Sequence, residues 1–290
     1  METSALRNMA ISVRNKIFYY LRYALNTYIL FSPIRKLLYG FYELGFPNKD
    51  LILPCNGLLI RVRNPRRYPF IGRSIYLTQS WEAQVTEFVL SIIKPGMTVL
   101  DIGADIGYYT LLFAKLVGCE GRVFSFEPVL KAKQYLESNI QLNAFENIRV
   151  LDFALFDKAG LACLEQPFFK SKLNLSKGHC QKNDIMVEMK VLDEWHAQER
   201  IGHLDFIKID VEGAEFNVLY GMKNVLRSYH PGILVEVHPG LLKEFGKSPA
   251  ELFEFLSSFN YEIQNIDKET EVLSQDSYHL YFRGHKTAPF

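Results

Sequence analysis

From residue 98 onward, short apolar runs alternate with longer segments of helical periodicity. Thr98–Asp101, Arg122–Glu127, Ile148–Phe153, Leu204–Asp210 and Ile233–Val237 have the length and Val/Ile/Leu/Phe content of buried strands. Between them, Tyr108–Val117, Leu130–Leu142 and Phe216–Leu226 repeat apolar residues at helical spacing. A helix near Pro249–Phe259 and strands at Tyr261–Ile266 and Tyr278–Phe282 close the chain, the last two suiting an antiparallel pair. Such alternation requires right-handed crossovers and a mostly parallel sheet covered on both faces. The expected class is α/β, a doubly wound sheet. The N-terminal part reads differently: Leu51–Tyr76 is strand-like and turn-rich, with a β-hairpin at Asn56-Gly57. A helix over Trp81–Ile93 is ended by Pro95-Gly96. The expected boundary separates an arm and hairpin region, 1–80, from a domain at 81–290.

Charge changes the picture at the N-terminus. The 290 residues carry 33 Lys+Arg against 32 Asp+Glu, a net +1 that argues against a nucleic-acid binder. That total hides a net +5 in residues 1–36 and a net −4 in the remainder. Ile17–Phe31 is apolar for 15 residues but interrupted by Arg22 and Asn26, too short to span a bilayer. No small-residue cleavage site follows, so a signal peptide fits poorly. Ile17, Tyr20, Leu21, Ala24, Leu25 and Tyr28 share a helical stripe. The stripe suits packing against the chain's own domain or a second subunit, or peripheral contact with anionic lipid. The four cysteines, Cys55, Cys119, Cys163 and Cys180, lie far apart with no Cys-x-x-Cys pair. Their spacing indicates neither a zinc knuckle nor a disulfide scaffold, and the expected compartment is a reducing cytoplasm, at its membrane face if the arm binds lipid.

Ligands of doubly wound sheets bind beyond the carboxyl ends of the strands, where strand order reverses. The first strand runs into Asp101-Ile102-Gly103-Ala104-Asp105-Ile106-Gly107. The dinucleotide fingerprint needs glycine where Asp105 and Tyr108 stand, so that motif fails. Acids at the strand end and in the loop favour a cationic, hydroxyl-bearing ligand over a pyrophosphate, and S-adenosylmethionine fits. Gly103 and Gly107 let the backbone approach a ligand and turn sharply, while Asp105 also suits a helix N-cap. Glu127, ending the second strand, can accept both ribose hydroxyls. Phe153 and Ala154 follow the third strand, beside the expected adenine. The candidate cofactor-binding set is therefore Asp101, Gly103, Ala104, Asp105, Gly107, Glu127, Phe153 and Ala154.

Three stretches together are similar to the FkbM family of S-adenosylmethionine-dependent methyltransferases. They are Val99–Thr110, Phe126-Glu127-Pro128 and Ile207-Lys208-Ile209-Asp210-Val211-Glu212-Gly213-Ala214-Glu215, with Val191–Trp195 and Leu234–His238 as weaker landmarks. Asp105 departs from the family, which commonly has asparagine there. The resemblance implies a class I methyltransferase fold with seven strands in the order 3-2-1-4-5-7-6. It also implies methyl transfer to a hydroxyl of a sugar or natural-product-like small molecule. The alternatives are a non-catalytic relative that keeps the fold, or a nicotinamide-dependent oxidoreductase or epimerase, which lacks its glycines and its Tyr-x-x-x-Lys pair here.

Methyl transfer needs alignment of acceptor oxygen, methyl carbon and sulfur, and removal of the acceptor's proton. Asp210 ends the fourth strand, and Glu236 and His238, two apart, end the fifth. These three form the candidate catalytic group, as base and acceptor holder. The same carboxylates could instead hold a divalent ion, although no dense ligand cluster shows in the sequence. Glu215 falls in a first helical turn, where a carboxylate serves a structural role, and Glu212 has no assigned one. Lys170–Lys182 holds four lysines and His179 without an acid, suiting a solvated loop or a basic cover for anionic acceptors.

Overall fold

The hairpin turn follows from two residues that tolerate left-handed backbone. Asn56 and Gly57 take φ of 50° and 71°, joining β1 (Leu51–Cys55) and β2 (Leu58–Val62) as an antiparallel pair. Leu58, Ile60 and Val62 are buried while Leu59 between them is exposed, the period-2 pattern of a one-sided ribbon. This computed structural model describes residues 44–68, 70–165, 172–174, 180, 184–266 and 277–284. The arm at 1–36 and most of the basic stretch 170–182 lie outside the described residues. The chain divides into two units, Met1–Trp81 and Glu82–Phe290. In the first, Phe70–Thr78 is a helix, α1, inside a stretch expected to be strand and turn. Tertiary contacts hold it: the Arg73 guanidinium lies 4.6 Å over the Phe46 ring and donates to the Pro65 carbonyl.

The second unit opens with α2 (Ala83–Ile92), β3 (Thr98–Ile102), α3 (Tyr108–Val117), β4 (Arg122–Phe126), α4 (Leu130–Leu142) and β5 (Ile148–Leu151). Every residue of β3 is buried, as its unbroken apolar run requires of a central parallel strand. The chain then builds β6 (Ala154–Phe156), β7 (Gly160–Glu165), β8 (Lys172–Asn174) and β9 (Ile185–Val191) before α5 (Leu192–Glu199) and β10 (Phe206–Ile209). Next come α6 (Glu215–Tyr220), α7 (Lys223–Tyr229), β11 (Gly232–Val237), α8 (Pro239–Leu242), α9 (Pro249–Ser257), β12 (Tyr261–Asn265) and β13 (Tyr278–Gly284). The helix expected over Phe216–Leu226 is thus two helices. They part at Gly221, where a Cβ would stand 2.3 Å from the Phe156 carbonyl oxygen. Ser248 and Glu251 form a capping box that starts α9.

The large sheet has the order β12-β13-β11-β10-β3-β4-β5. Numbered in chain order within that sheet, this is 6-7-5-4-1-2-3, with β13 antiparallel to both neighbours and the others parallel. Strand order reverses between β3 and β10, which places the crevice at their carboxyl ends. A second sheet, order β6-β9-β7-β8, occupies the interval between the third and fourth strands of the large one. Phe156, Ala162, Leu164, Val187 and Met189 form its buried side. No helix among the described residues is long and apolar enough to cross a membrane.

The cysteine reading needs correction. Cys163 on β7 and Cys180 are joined as a disulfide, while Cys55 and Cys119 remain thiols. The pair is 17 residues apart and meets only because β7 turns back into β8, a proximity that spacing alone does not reveal. A closed loop of this size constrains the unfolded chain by roughly 3 kcal/mol. Cys163→Ser is therefore expected to lower stability by about 2–4 kcal/mol in denaturant unfolding. Adding reductant should remove the same increment from the parent chain and none from the variant.

Candidate functional site

The first loop is built by backbone constraint. Gly103 and Gly107 have φ of 85° and 90°, and Asp105 between them 44°, so three of five residues leave the right-handed region. Glycine is required at 103 for a second reason: a Cβ there would stand 1.8 Å from the Asp210 carbonyl oxygen. That contact holds the loop after β3 against the end of β10. The amides of Gly103 and Ala104 both donate to the Phe126 carbonyl at 3.0 and 3.1 Å, which ties the loop to β4 as well. Asp105 is not the N-cap of α3; Gly107 is, without a side-chain bond. The Asp105 amide instead donates to Glu127 Oε2 at 2.8 Å, and the Val129 amide to Glu127 Oε1 at 2.8 Å. Glu127 is thereby oriented by two backbone donors at the end of β4. Phe153 packs edge-on to Phe126, ring centroids 5.6 Å apart, and half-buried Ala154 follows it at the start of β6. Asp101 is 1% exposed; the Thr110 hydroxyl donates to its Oδ2 at 2.6 Å, and its Oδ1 has no hydrogen-bond partner. Burial raises its carboxyl pKa, against the lowering effects of Lys208 and Thr110.

The second half of the site follows from strand register. Asp101 of β3 pairs with Lys208 of β10, Lys208 with Leu234 of β11, and Glu236 with His279 of β13. Period-2 alternation then carries Asp101, Lys208 and Glu236 to one face of the sheet. Lys208, 2% exposed, donates to Asp210 Oδ2 at 3.1 Å and lies 4.8 Å over the Tyr109 ring. Burial disfavours its charge, but Asp210 and Asp101 outweigh that and raise its pKa above the ordinary value. His238, also 2% exposed, directs Nδ1 at Glu215 Oε1, 2.8 Å away, and donates to that carboxylate. Its Nε2 stands 3.4 Å from Glu236 Oε1 and 3.4 Å from Glu212 Oε2.

These groups set one another's charge. Burial and the Glu236 charge push the Asp210 carboxyl up to about 7, against Lys208 and His238. Burial alone would lower His238, but Glu215, Glu236 and Asp210 raise it to about 10. Burial would raise Glu236, yet His238, His279 and the Ser277 hydroxyl hold it below the usual carboxylate range. The result is a cationic imidazole braced by carboxylates beside an acid, Asp210, tuned to take up or release a proton near neutral pH.

The three candidate catalytic residues, Asp210, Glu236 and His238, therefore meet in one cluster, with one ligand atom from each within 4.8 Å of the others. Lys208, Glu82 and His279 belong to the same environment, although none was singled out from the sequence. The signal for Lys208 was a single charge inside the apolar run Phe206–Ile209. Glu82 Oε2 accepts the Tyr109 hydroxyl at 2.7 Å and lies 3.5 Å from His279 Nε2. Glu215, read as a structural carboxylate, does accept the Gly213 amide at 2.9 Å, but it also orients His238.

Residues 101–263, more than half of the chain, match the family described as the methyltransferase FkbM domain. The chain belongs to this FkbM methyltransferase family. It is 27% identical to 2-O-methyltransferase NoeI of Sinorhizobium fredii over 160 residues, 48% of this chain and 63% of that relative. It is 24% identical over 196 residues to hexuronic acid methyltransferase AglP of Haloferax volcanii, 66% of this chain and 75% of that one. Among solved structures, methyltransferase FkbM from Methylobacillus flagellatus KT aligns at 16% identity and a TM-score of 0.47, over 68% of this chain and 50% of that one. The doubly wound sheet of this FkbM domain is the class I methyltransferase fold.

The contact between the FkbM loop and β10 is open to a direct test. Gly103→Ala puts a Cβ against the Asp210 carbonyl at a strained φ. It is expected to cost about 2–4 kcal/mol, read as a lowered denaturant midpoint.

Proposed function

We propose that this chain transfers the methyl group of S-adenosylmethionine to a hydroxyl oxygen of a sugar. One observation carries the reading: the loop after β3 abuts the Asp210 carbonyl, so a donor site and an acid–imidazole cluster share one crevice. The residues present fit the donor. Asp101 Oδ1, buried without a partner, suits a cationic amino-acid headgroup, and Glu127, fixed by two amides, suits a ribose diol. The loop residues Gly103, Ala104, Asp105 and Gly107 would form the floor, with Phe153 and Ala154 beside the base. When bound, S-adenosylmethionine supplies a methyl carbon activated by a sulfonium.

The chain's own residues then have two tasks. They hold the acceptor oxygen in line with that carbon, a positioning effect worth up to about 7–11 kcal/mol in favourable systems. They also receive the hydroxyl proton, and the Asp210–Glu236–His238 group does both in this reading. Lys208 and Glu215 keep its members in place from beneath. A sugar acceptor is supported by the similarity to AglP, a hexuronic acid methyltransferase, and an oxygen acceptor by the similarity to NoeI, a 2-O-methyltransferase.

The test is transfer of labelled methyl from S-adenosylmethionine to a panel of neutral sugars, uronic acids and non-sugar alcohols. Label should appear as an ether on a sugar hydroxyl; label confined to non-sugar alcohols, or absent throughout, sinks the reading. Asp210→Asn is expected to lower kcat by about 10²–10⁴-fold while leaving donor affinity within a few-fold. Glu127→Ala should do the reverse, weakening S-adenosylmethionine binding by at least about tenfold in calorimetry, as loss of charge-assisted hydrogen bonds requires.

A further inference from the structure

The sequence shows no dense ligand cluster, but the folded chain does. His238 Nε2 is buried and has no hydrogen-bond partner, and it faces Glu236, Glu212 and Asp210. In a residue only 2% exposed, a ring nitrogen 3.4 Å from two carboxylate oxygens without an aligned hydrogen bond offers a seat that a cation can take in exchange for the Nε2 proton. Its other ring nitrogen is held by Glu215, which is 0% exposed and takes the Gly213 amide on the same oxygen. A carboxylate fixing one nitrogen so that the other points into a cluster is the outer-shell arrangement of metal-binding histidines.

Distances and charge agree with this. Metal bonds of about 2.0–2.2 Å put neighbouring ligand atoms about 2.8–3.1 Å apart along an octahedral edge and about 3.3–3.6 Å apart along a tetrahedral one. His238 Nε2 stands 3.4 Å from both Glu236 Oε1 and Glu212 Oε2. Four carboxylates, Asp210, Glu212, Glu215 and Glu236, meet here against one ammonium, Lys208, and two imidazoles, His238 and, beside Glu236, His279. Negative charge is in surplus even with His238 counted as a cation. The neighbouring group of Glu82, Glu236 and His279 is a weaker seat, because Glu82 Oε2 is engaged by the Tyr109 hydroxyl.

The geometry points to a divalent-cation site formed by His238 Nε2 and the carboxylates of Asp210, Glu236 and Glu212, oriented from behind by Glu215. One imidazole and several carboxylates, without thiolate, select a hard ion of the magnesium and manganese class. Within the acceptor site proposed above, such an ion would bind the sugar oxygen and lower its pKa. The cation site rests on that reading for its role and not for its existence.

The experiment is titration of the full chain, stripped with chelator, with Mn²⁺ alone, followed by loss of the free-ion electron paramagnetic resonance signal. One equivalent should bind. Glu236→Gln and Asp210→Asn should each weaken binding by at least about tenfold. Glu215→Gln, although it touches the ion only through His238, should weaken it by about 10–100-fold. Circular dichroism and the melting temperature identify any variant that fails to fold, and the Asp210→Asn comparison does not depend on the buried Glu215 position. Absence of stoichiometric binding by the parent chain at up to about 1 mM Mn²⁺, the weak end for carboxylate sites, overturns the proposal. So does binding that both Glu236→Gln and Asp210→Asn leave unchanged. Methyl transfer that persists in a chain with no Mn²⁺ site would remove the cation and leave the sugar methyltransferase standing. Mn²⁺ bound at this cluster in a chain that methylates nothing would do the opposite.

Discussion

A lysine ammonium buried in the middle of a β-sheet is tolerable only if carboxylates surround it, and Lys208 sets that condition for the whole crevice. Leaving one buried charge unpaired costs several kcal/mol, about as much as a domain's entire net stability. Asp101 on the adjacent strand and Asp210 at the end of its own strand meet the requirement, and Tyr109 covers the ammonium from α3. Once Asp101 and Asp210 are placed, the loop after β3 has to pass directly over the end of β10, and Gly103 is the residue that fits. The loop after β3 and the end of β10 are therefore parts of one electrostatic arrangement. Disturbing either should be felt by the other.

The acidic side carries more charge than Lys208 needs. His238 takes up part of it, held between Glu215 on one nitrogen and Glu212 and Glu236 at the other. Such crowding costs stability, since like charges within a few ångströms repel. It persists where the repulsion is useful, and a raised carboxyl such as Asp210 beside a raised imidazole suits acid–base chemistry or cation binding. The small sheet of β6 to β9, with its disulfide, contributes none of these groups among the described residues. Its Phe156 and Met189 pack with Val129, Ala132 and Ala214 in a second apolar cluster.

Much of this was legible in the chain. The central strands are continuous apolar runs and the helices between them keep a 3.6-residue period, so strand–helix alternation could be read directly. The glycine loop, Glu127, Asp210, Glu236 and His238 stand at or just beyond strand ends, and those positions could be read along the chain. In the small sheet, β6 and β8 have three residues each, too few for a period to show, whereas β7 and β9, with six and seven residues, do alternate. The helix α1 has only nine residues, with Gly72 and Ile75 buried, and it stands at the end of a stretch whose alternation and turn residues read as strand. The disulfide was missed because two cysteines 17 residues apart carry no sign of the strand reversal that joins them.

The sequence by itself determined the alternation of strands and helices, the sharp turn after β3 and the chemical types at the strand ends. These are local properties, set by side-chain periodicity and by which residues tolerate positive φ. The tertiary structure decided which of those side chains face one another. Strand register is a relation between distant segments, and a shift of one residue would turn each side chain to the opposite face. Pairing Asp101 with Lys208 and Glu236 with His279 is what gathered scattered carboxylates and histidines into a single buried cluster. The helix after β10 then delivered Glu215 to His238, a partner that lies 23 residues away in the chain.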